Sequence, residues 1–216
     1  MTLSYVIEHM EDDDDSPKAI PPWVELEYAH MRSLAGPAAQ IHFTSLSSAS
    51  RSSLSTVSIP AEGLADASCH QAGIMQLMEE RGVELSKVCL LDPKAEKALA
   101  PEDGDGEFEW FLFGGILGDD PPRDRTSELR VRGFPTRHLG PVQMTTDTAL
   151  GVTKKVVHDK VPLDKIPYVD FPTIRFNAKE SVEMPFRYIA NEKSEPILPV
   201  GMRDLLHEDL NKSFDF

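Results

Sequence analysis

The sequence predicts an α/β fold in which helices flank a mainly parallel sheet. Apolar segments of strand length alternate with segments of helical periodicity along most of the chain, as they do in strand–helix–strand units. The run of residues 110–113 is continuously apolar, which is typical of a strand buried on both faces of a parallel sheet. With 216 residues, of which 40% are hydrophobic, the chain can bury one sizeable core.

The first predicted elements are a strand, a helix and a second strand. The first strand covers residues 3–9 and ends in polar side chains. The helix starts at Pro21-Pro22, because proline suits a first helical turn, and Gly36-Pro37 stops it. The second strand covers residues 41–44. The apolar face of the helix is formed by Val24, Tyr28, Met31 and Ala35.

The next segment, residues 45–58, is rich in serine and has Arg51 as its only charge. This composition predicts a flexible loop. A helix follows over residues 71–81, with Gly82 as its C-terminal cap. The strand after it covers residues 88–91 and breaks at Asp92-Pro93, before the apolar run described above.

After that run, the pattern predicts a helix over residues 126–132, a strand over 136–139 and a helix that begins near Thr145. Thr145 can cap this helix, and Asp147 is favourable in its first turn. Beyond Asp159 the sequence is punctuated by prolines and loses its regular pattern. We therefore expect residues 159–216 to form an irregular C-terminal extension that packs on the core.

Acidic residues outnumber basic ones by 36 to 22, which gives a net charge of −14. A protein that grips a nucleic-acid backbone normally presents a basic face. The balance therefore argues against nucleic acid as the substrate and favours a basic partner. The run from Asp12 to Asp15 either steers such a partner by long-range attraction or forms a solvated loop without a role.

No apolar stretch is long enough to cross a bilayer, and the first residues lack the basic-then-apolar order of a signal peptide. The cysteines Cys69 and Cys89 form neither a disulfide framework nor a metal-ligand pair. Cys89 lies in an apolar run, where we expect a buried reduced thiol. The expectation is a cytoplasmic protein without a metal or a membrane segment.

Three strand ends have the features of a ligand site: Leu91 to Pro93, the glycine segment after Phe113, and Leu139-Gly140 with the helix start that follows. In a parallel sheet these ends lie at one edge, where ligands bind. Glycines and free helix N–H groups suit an adenosine-like group, whereas a dinucleotide-binding pattern and a P-loop are absent. The predicted cofactor-binding residues are Leu91, Asp92, Pro93, Gly114, Gly115, Ile116, Leu117, Gly118, Leu139, Gly140, Gln143, Met144, Thr145 and Thr146.

Longer motifs make the prediction specific: YVIEHME at 5–11, CLLDP at 89–93, FGGILGD at 113–119, PPRDRT at 121–126, QMTTDTA at 143–149, EMPFRY at 183–188 and PILPVGM at 196–202. In these stretches the chain resembles the SPOUT methyltransferases, and among them the branch of fungal ribosomal-protein arginine methyltransferases. The resemblance implies a SPOUT domain over residues 1–158 with a C-terminal trefoil knot, whose three loops hold S-adenosyl-L-methionine. It also implies an arginine of a small-subunit ribosomal protein, near the mRNA entry channel, as methyl acceptor.

An arginine acceptor calls for carboxylates, because a guanidinium stays protonated at neutral pH and pairs with them in a fork. Glu8 and Asp119 are predicted to face the substrate and to accept a proton. Asp147 is the third catalytic candidate, with compensation of the helix dipole as the alternative. His138 is either a base or a structural histidine, and Trp23 either flanks the arginine or packs its helix.

Two other functions stay open. RNA methylation is the commonest activity of the SPOUT superfamily, but the acidic balance and the lack of a basic tract argue against it. A non-catalytic ribosome-assembly factor would use the fold as a binding surface, although the intact glycine segment argues against loss of the cofactor. The extension either docks on the sheet or forms a wall of the substrate groove and covers the surface through which SPOUT proteins dimerise, which favours a monomer.

Overall fold

In a computed structural model, the chain is described at residues 3–9, 20–115 and 126–212. Six strands form the central sheet: β1 Ser4–His9, β2 Gln40–Thr44, β3 Asp66–Cys69, β4 Val88–Leu91, β5 Trp110–Gly115 and β6 Thr136–Arg137. Their order is β3-β2-β1-β5-β4-β6, and every neighbouring pair is parallel. The predicted parallel sheet is confirmed.

The helices of the described residues are α1 Pro22–Ala35, α2 Ser48–Ser53, α3 Ile74–Arg81, α4 Thr126–Arg130, α5 Thr146–Val157 and α6 Met202–Lys212. Short 3-10 turns lie at Leu85–Lys87, Pro101–Gly104 and Leu163–Lys165. α1 has a proline in its first turn, and it ends at Gly36, whose φ of 75° favours glycine. The local signals thus set the bounds of this helix.

Helices cover both faces of the sheet because the side chains of each strand alternate in direction. Ile7, Phe111 and Phe113 face a core that is shared with α1 and α5. Val6 and Leu112 face the opposite way, toward α3 and α4. The central strands are therefore buried on both faces, which is the usual situation of a parallel sheet.

The serine-rich segment 45–58 is not the flexible loop that its composition predicts. It contains α2, which is capped by the Ser47 hydroxyl as it accepts the backbone N–H of Ser50 at 2.9 Å. Leu54 and Val57 follow and are buried in the core. The prediction was wrong because the average polarity of the segment concealed three apolar side chains that anchor it, those of Leu46, Leu54 and Val57.

The extension is more regular than predicted. It contains β7 Tyr168–Asp170, β8 Thr173–Arg175, β9 Ser181–Glu183 and β10 Arg187–Ile189, followed by α6. β7 pairs with β10 and β8 with β9, both antiparallel, while β10 contacts α5 and α6 contacts α1. α5 packs closely against β10 and α1. A Cβ on Gly151 of α5 would lie 3.1 Å from Ile189 Cδ1 and 3.2 Å from Leu34 Cδ1.

The connection between β5 and α4 lies outside the described residues, and so does the run from Asp12 to Asp15. The trefoil knot depends on the path of that connection and therefore stays a prediction. Within the described part of the chain, no helix combines the length and apolar character needed to span a membrane.

Candidate active site

A cavity of about 360 Å³ opens at the carboxyl edge of the sheet, where the ends of β4 and β5 meet the loop before α5. Ligands bind at this edge in parallel sheets. The predicted cofactor residues that line it are Leu91, Asp92, Pro93, Gly114, Leu139, Gly140, Gln143, Met144 and Thr146. The three strand ends singled out in the sequence therefore surround one cavity.

The other predicted cofactor residues are placed differently. Gly115, at the end of β5, is packed against the backbone of β1, because a Cβ there would lie 2.8 Å from the Glu8 carbonyl oxygen. Thr145 lines a second, neighbouring cavity. Its hydroxyl donates a hydrogen bond to Thr148 Oγ1 at 2.9 Å and does not cap α5. Outside the described residues lie Ile116, Leu117 and Gly118.

An ion pair that sequence reasoning missed holds one wall of the first cavity. Asp92, which is 1% exposed, accepts hydrogen bonds from Arg130 Nε at 2.5 Å and Nη2 at 2.7 Å. It also accepts the backbone N–H of Lys94 at 2.9 Å. Arg130 and Lys94 line the cavity and bring positive charge to it. The sequence feature that could have pointed to this ion pair is the positive charge of Arg130 in the helix that follows the glycine segment.

The loop before α5 is shaped by Gly140 and His138. Gly140 has a φ of 105°, in the region that favours glycine. Its N–H donates to His138 Nδ1 at 3.1 Å. The imidazole thus accepts a hydrogen bond from the loop that it supports, which favours the structural role over that of a base.

Glu8 lies on the face of the sheet that carries α3. Its carboxylate accepts hydrogen bonds from the hydroxyls of Thr44 and Ser45, the latter at 2.6 Å, and from the backbone N–H of Ile74 at 2.9 Å. Glu8 lines neither of the two cavities. The structure therefore shows Glu8 holding the start of α3, an arrangement different from the predicted substrate clamp. Asp119, the other member of that clamp, is outside the described residues.

The second cavity, of about 270 Å³, adjoins the first, and Gln143 and Met144 line both. α1 contributes Trp23 and Glu27 to its lining. The extension contributes Met184, Phe186, Tyr188, Leu198, Pro199, Met202 and Leu206. The extension thus forms one wall of a groove next to the first cavity.

Asp147 lies in this second cavity as well as in the first turn of α5. Its Oδ2 is 2.8 Å from His30 Nδ1, and its Oδ1 accepts the backbone N–H of Thr148 at 2.8 Å. Burial raises the pKa of the neighbouring Glu27 well above its usual range, and the charge of Asp147 raises it further. Sequence reasoning missed Glu27, although an acid three residues after Val24 stands out on the apolar face of a helix.

Trp23 packs against the core and also lines the second cavity. His9 is buried, and its Nδ1 is 2.8 Å from the Tyr28 hydroxyl. In the described ranges, no three His, Cys, Asp or Glu side chains gather into a group that could hold a metal ion.

Comparison with known proteins identifies the family. A family model described as protein arginine N-methyltransferase SFM1-like matches residues 4–213. Protein arginine N-methyltransferase SFM1 of Saccharomyces cerevisiae is 40% identical over 220 residues, which cover 99% of this chain and 98% of the yeast protein. Both matches extend over nearly the whole chain, including the extension.

Solved structures agree with this assignment. The crystal structure of the yeast arginine methyltransferase SFM1 complexed with SAM matches with a TM-score of 0.81 and 36% identity, covering 97% of this chain and 92% of that one. Its complex with SAH matches with a TM-score of 0.78 and 37% identity, covering 94% of each chain. Trm10 of Thermococcus kodakaraensis shares the fold alone, with a TM-score of 0.52 and 18% identity over 75% of this chain and 95% of that one.

The SPOUT fold and the resemblance noted in the sequence are therefore confirmed. The predicted enzyme class, protein arginine N-methyltransferase, is confirmed by the family match. The chain belongs to the family of SFM1-like protein arginine N-methyltransferases.

Proposed function

We propose that this protein transfers the methyl group of S-adenosyl-L-methionine to an arginine of a small-subunit ribosomal protein, the one near the mRNA entry channel. The observation that supports the proposal best is the cavity at the three strand ends in a chain of this family. The yeast relative has been crystallised with the methyl donor and with its demethylated product. The net charge of −14 favours a basic protein as substrate.

The residues of the first cavity fit this cofactor. The cavity falls within the range of about 300–1,000 Å³ that is usual for ligand sites. Leu91, Leu139 and Ala149 offer apolar surface to a nucleoside base. Arg130, held by Asp92, offers a positive charge to the carboxylate of the methionyl part. When bound, the cofactor supplies a methyl group on a sulfonium.

The rest of the catalysis depends on the side chains around the methyl acceptor. Methyl transfer to nitrogen is an in-line displacement, and correct positioning supplies much of its rate. The chain must also balance the charge of a guanidinium and take up a proton as transfer proceeds. Acids beside the cofactor cavity are suited to both tasks.

The test is transfer of a radiolabelled methyl group into purified 40S ribosomal proteins and, in parallel, into 40S RNA. We expect label in one basic protein, and its loss when the acceptor arginine is replaced by lysine. Label in RNA instead would make this an RNA methyltransferase. No label in either substrate, despite binding of the cofactor, would favour the assembly-factor alternative.

We also propose that the enzyme acts as a cytoplasmic monomer. The free thiols of Cys69 and Cys89 suit a reducing compartment, and the extension covers α1 and α5 on one side of the core. A solution mass near the 24.0 kDa of one chain is the expected result. A mass about twice as large would show a homodimer.

A further inference from the structure

Two buried polar atoms in the second cavity have no hydrogen-bond partner within the described ranges. They are Glu27 Oε2 on α1 and the Tyr188 hydroxyl on β10. Glu27 is 5% exposed and Tyr188 is 2% exposed, and both line the cavity together with Asp147. Since buried polar groups are almost always hydrogen-bonded, this pair indicates a ligand that brings donors with it.

The lining selects for a cation with an aliphatic stem. Glu27 and Asp147 are the charged residues of the lining, and Trp23, Met184 and Phe186 are among its apolar members. A guanidinium has five N–H donors and no acceptor, and it pairs with carboxylates in a fork. Its methylenes suit thioether and aromatic walls, and its planar head stacks on an indole.

The charges in the cavity favour the same ligand. Burial raises the pKa of Glu27 and of Tyr188, and the charge of Asp147 raises both further. His30 is not part of the lining, but its Nδ1 lies 2.8 Å from Asp147 Oδ2. No lysine or arginine is among the lining residues that the structure describes. An entering cation would meet two acids and a phenol, and it would share Asp147 with His30.

We propose that the second cavity is the acceptor site, in which Glu27 and Asp147 hold the guanidinium of the substrate arginine and Glu27 takes up the proton that leaves on methylation. The inference rests on the proposed function. Gln143 and Met144 line both cavities, so a guanidinium held here lies next to the methyl donor's site. Transfer replaces one N–H bond of the guanidinium by an N–CH3 bond and breaks the S–CH3 bond of the sulfonium, so one proton leaves per turnover.

The first test measures binding without turnover. The indole N–H signal of Trp23 is followed by NMR in the protein saturated with S-adenosylhomocysteine, during titration with the amides of N-acetyl-arginine, N-acetyl-lysine and N-acetyl-citrulline. We expect the arginine probe to bind most tightly and the neutral citrulline probe to leave the signal unchanged. Equal binding of citrulline, tighter binding of lysine, or no response of Trp23 to arginine would overturn the acceptor site.

Two variants of the same helix sharpen this test. Glu27→Gln keeps the shape of the side chain and should weaken binding of the arginine probe by about tenfold or more. Glu25→Gln, outside the cavity lining, should leave it unchanged. The melting temperature of Glu27→Gln should be equal or higher, because a neutral amide replaces a buried ionisable group, one oxygen of which has no partner among the described residues. Unchanged affinity in a folded Glu27→Gln variant would contradict the proposal.

The pH dependence separates a direct role from a structural one. Protons compete with the guanidinium for Glu27, so the affinity of the wild type should fall as the pH falls through the raised pKa of this group. This dependence should be reduced in Glu27→Gln, where Asp147, Tyr188 and His30 are the titratable groups that remain. A pH profile identical to that of the wild type would overturn the role of Glu27.

The outcomes also distinguish this inference from the proposed function. If the wild type transfers no methyl group to ribosomal protein while binding of the arginine probe still depends on Glu27, the proposed function fails and the guanidinium site stands. If the wild type methylates its substrate and Glu27→Gln does so with unchanged KM and pH profile, the acceptor site fails and the proposed function stands.

Discussion

The Asp92 carboxylate and the Arg130 guanidinium form a two-pronged ion pair, with hydrogen bonds of 2.5 and 2.7 Å. Asp92 follows β4 and Arg130 belongs to α4, so the pair joins segments on either side of β5 and the glycine segment. Both residues line the first cavity. The pair therefore holds the wall of the predicted cofactor site.

Replacing Asp92 by Asn should weaken both this wall and the fold. Loss of a charged partner from a largely buried pair is expected to lower the free energy of unfolding by about 2 kcal/mol. The affinity for S-adenosylhomocysteine should fall as well, because Arg130 is no longer oriented. Chemical denaturation and titration calorimetry measure the two effects. Asp105→Asn, which breaks an exposed pair with Lys160, serves as the control and should cost less than about 1 kcal/mol.

Replacing Glu8 by Gln should destabilise the fold by about 1–2 kcal/mol, because the carboxylate caps α3 and binds two hydroxyls. We expect the turnover number of the folded fraction to stay near that of the wild type. Denaturation and initial rates are compared with those of Glu79→Gln, an exposed change on the same helix. A large loss of turnover at unchanged stability would restore the substrate clamp that the sequence predicted.

His42 should make stability depend on pH. It is 4% exposed, and burial, with the charges of His70 and Arg81, lowers its pKa from 6.5 to about 4. The unfolded chain therefore binds more protons between these values, so stability is lost as the pH falls from 6.5 toward 4. The full effect is about 3 kcal/mol.

Denaturation curves between pH 7 and pH 4 test this prediction. His42→Phe removes the titrating group and should flatten the dependence, whereas His158→Gln, at a half-exposed side chain, should not. An equally steep loss of stability in His42→Phe would assign the effect to other groups.

Replacing Gly115 by Ala should destabilise the centre of the sheet. The added Cβ would lie 2.8 Å from the Glu8 carbonyl oxygen and 3.3 Å from His9 Cα, and both belong to the backbone of β1. Separation of the strands to relieve this contact should cost about 1–3 kcal/mol. Thermal unfolding measures the loss. Wild-type stability combined with weaker binding of S-adenosylhomocysteine would instead support the cofactor contact predicted from the sequence.

The order of strands and helices could be predicted because hydrophobic periodicity and caps are local signals. Pro22 and Gly36 bound α1 as expected, and the loops at Leu91 and Leu139 meet at one cavity. Elements that lack such signals could not be predicted from the sequence. β3 has the sequence Asp-Ala-Ser-Cys at the edge of the sheet, with no apolar pattern.

The side chains of the site were harder to predict because their directions depend on packing. Glu8 alternates with Ile7 along β1, and this alternation alone directs it toward α3 and away from the core beneath α1. Arg130 lines the first cavity because Asp92, 38 residues earlier in the chain, binds it there. Neither relation appears as a pattern in the sequence.

The sequence by itself determined the alternation of strands and helices, the three strand ends and the family, since each is carried by neighbouring residues. Only the tertiary structure decided which acids share a cavity. Glu27, Asp147 and Tyr188 come from α1, α5 and the extension, and they meet because the extension packs on those two helices. Their burial, and with it the raised pKa of Glu27, exists only once these elements are in contact.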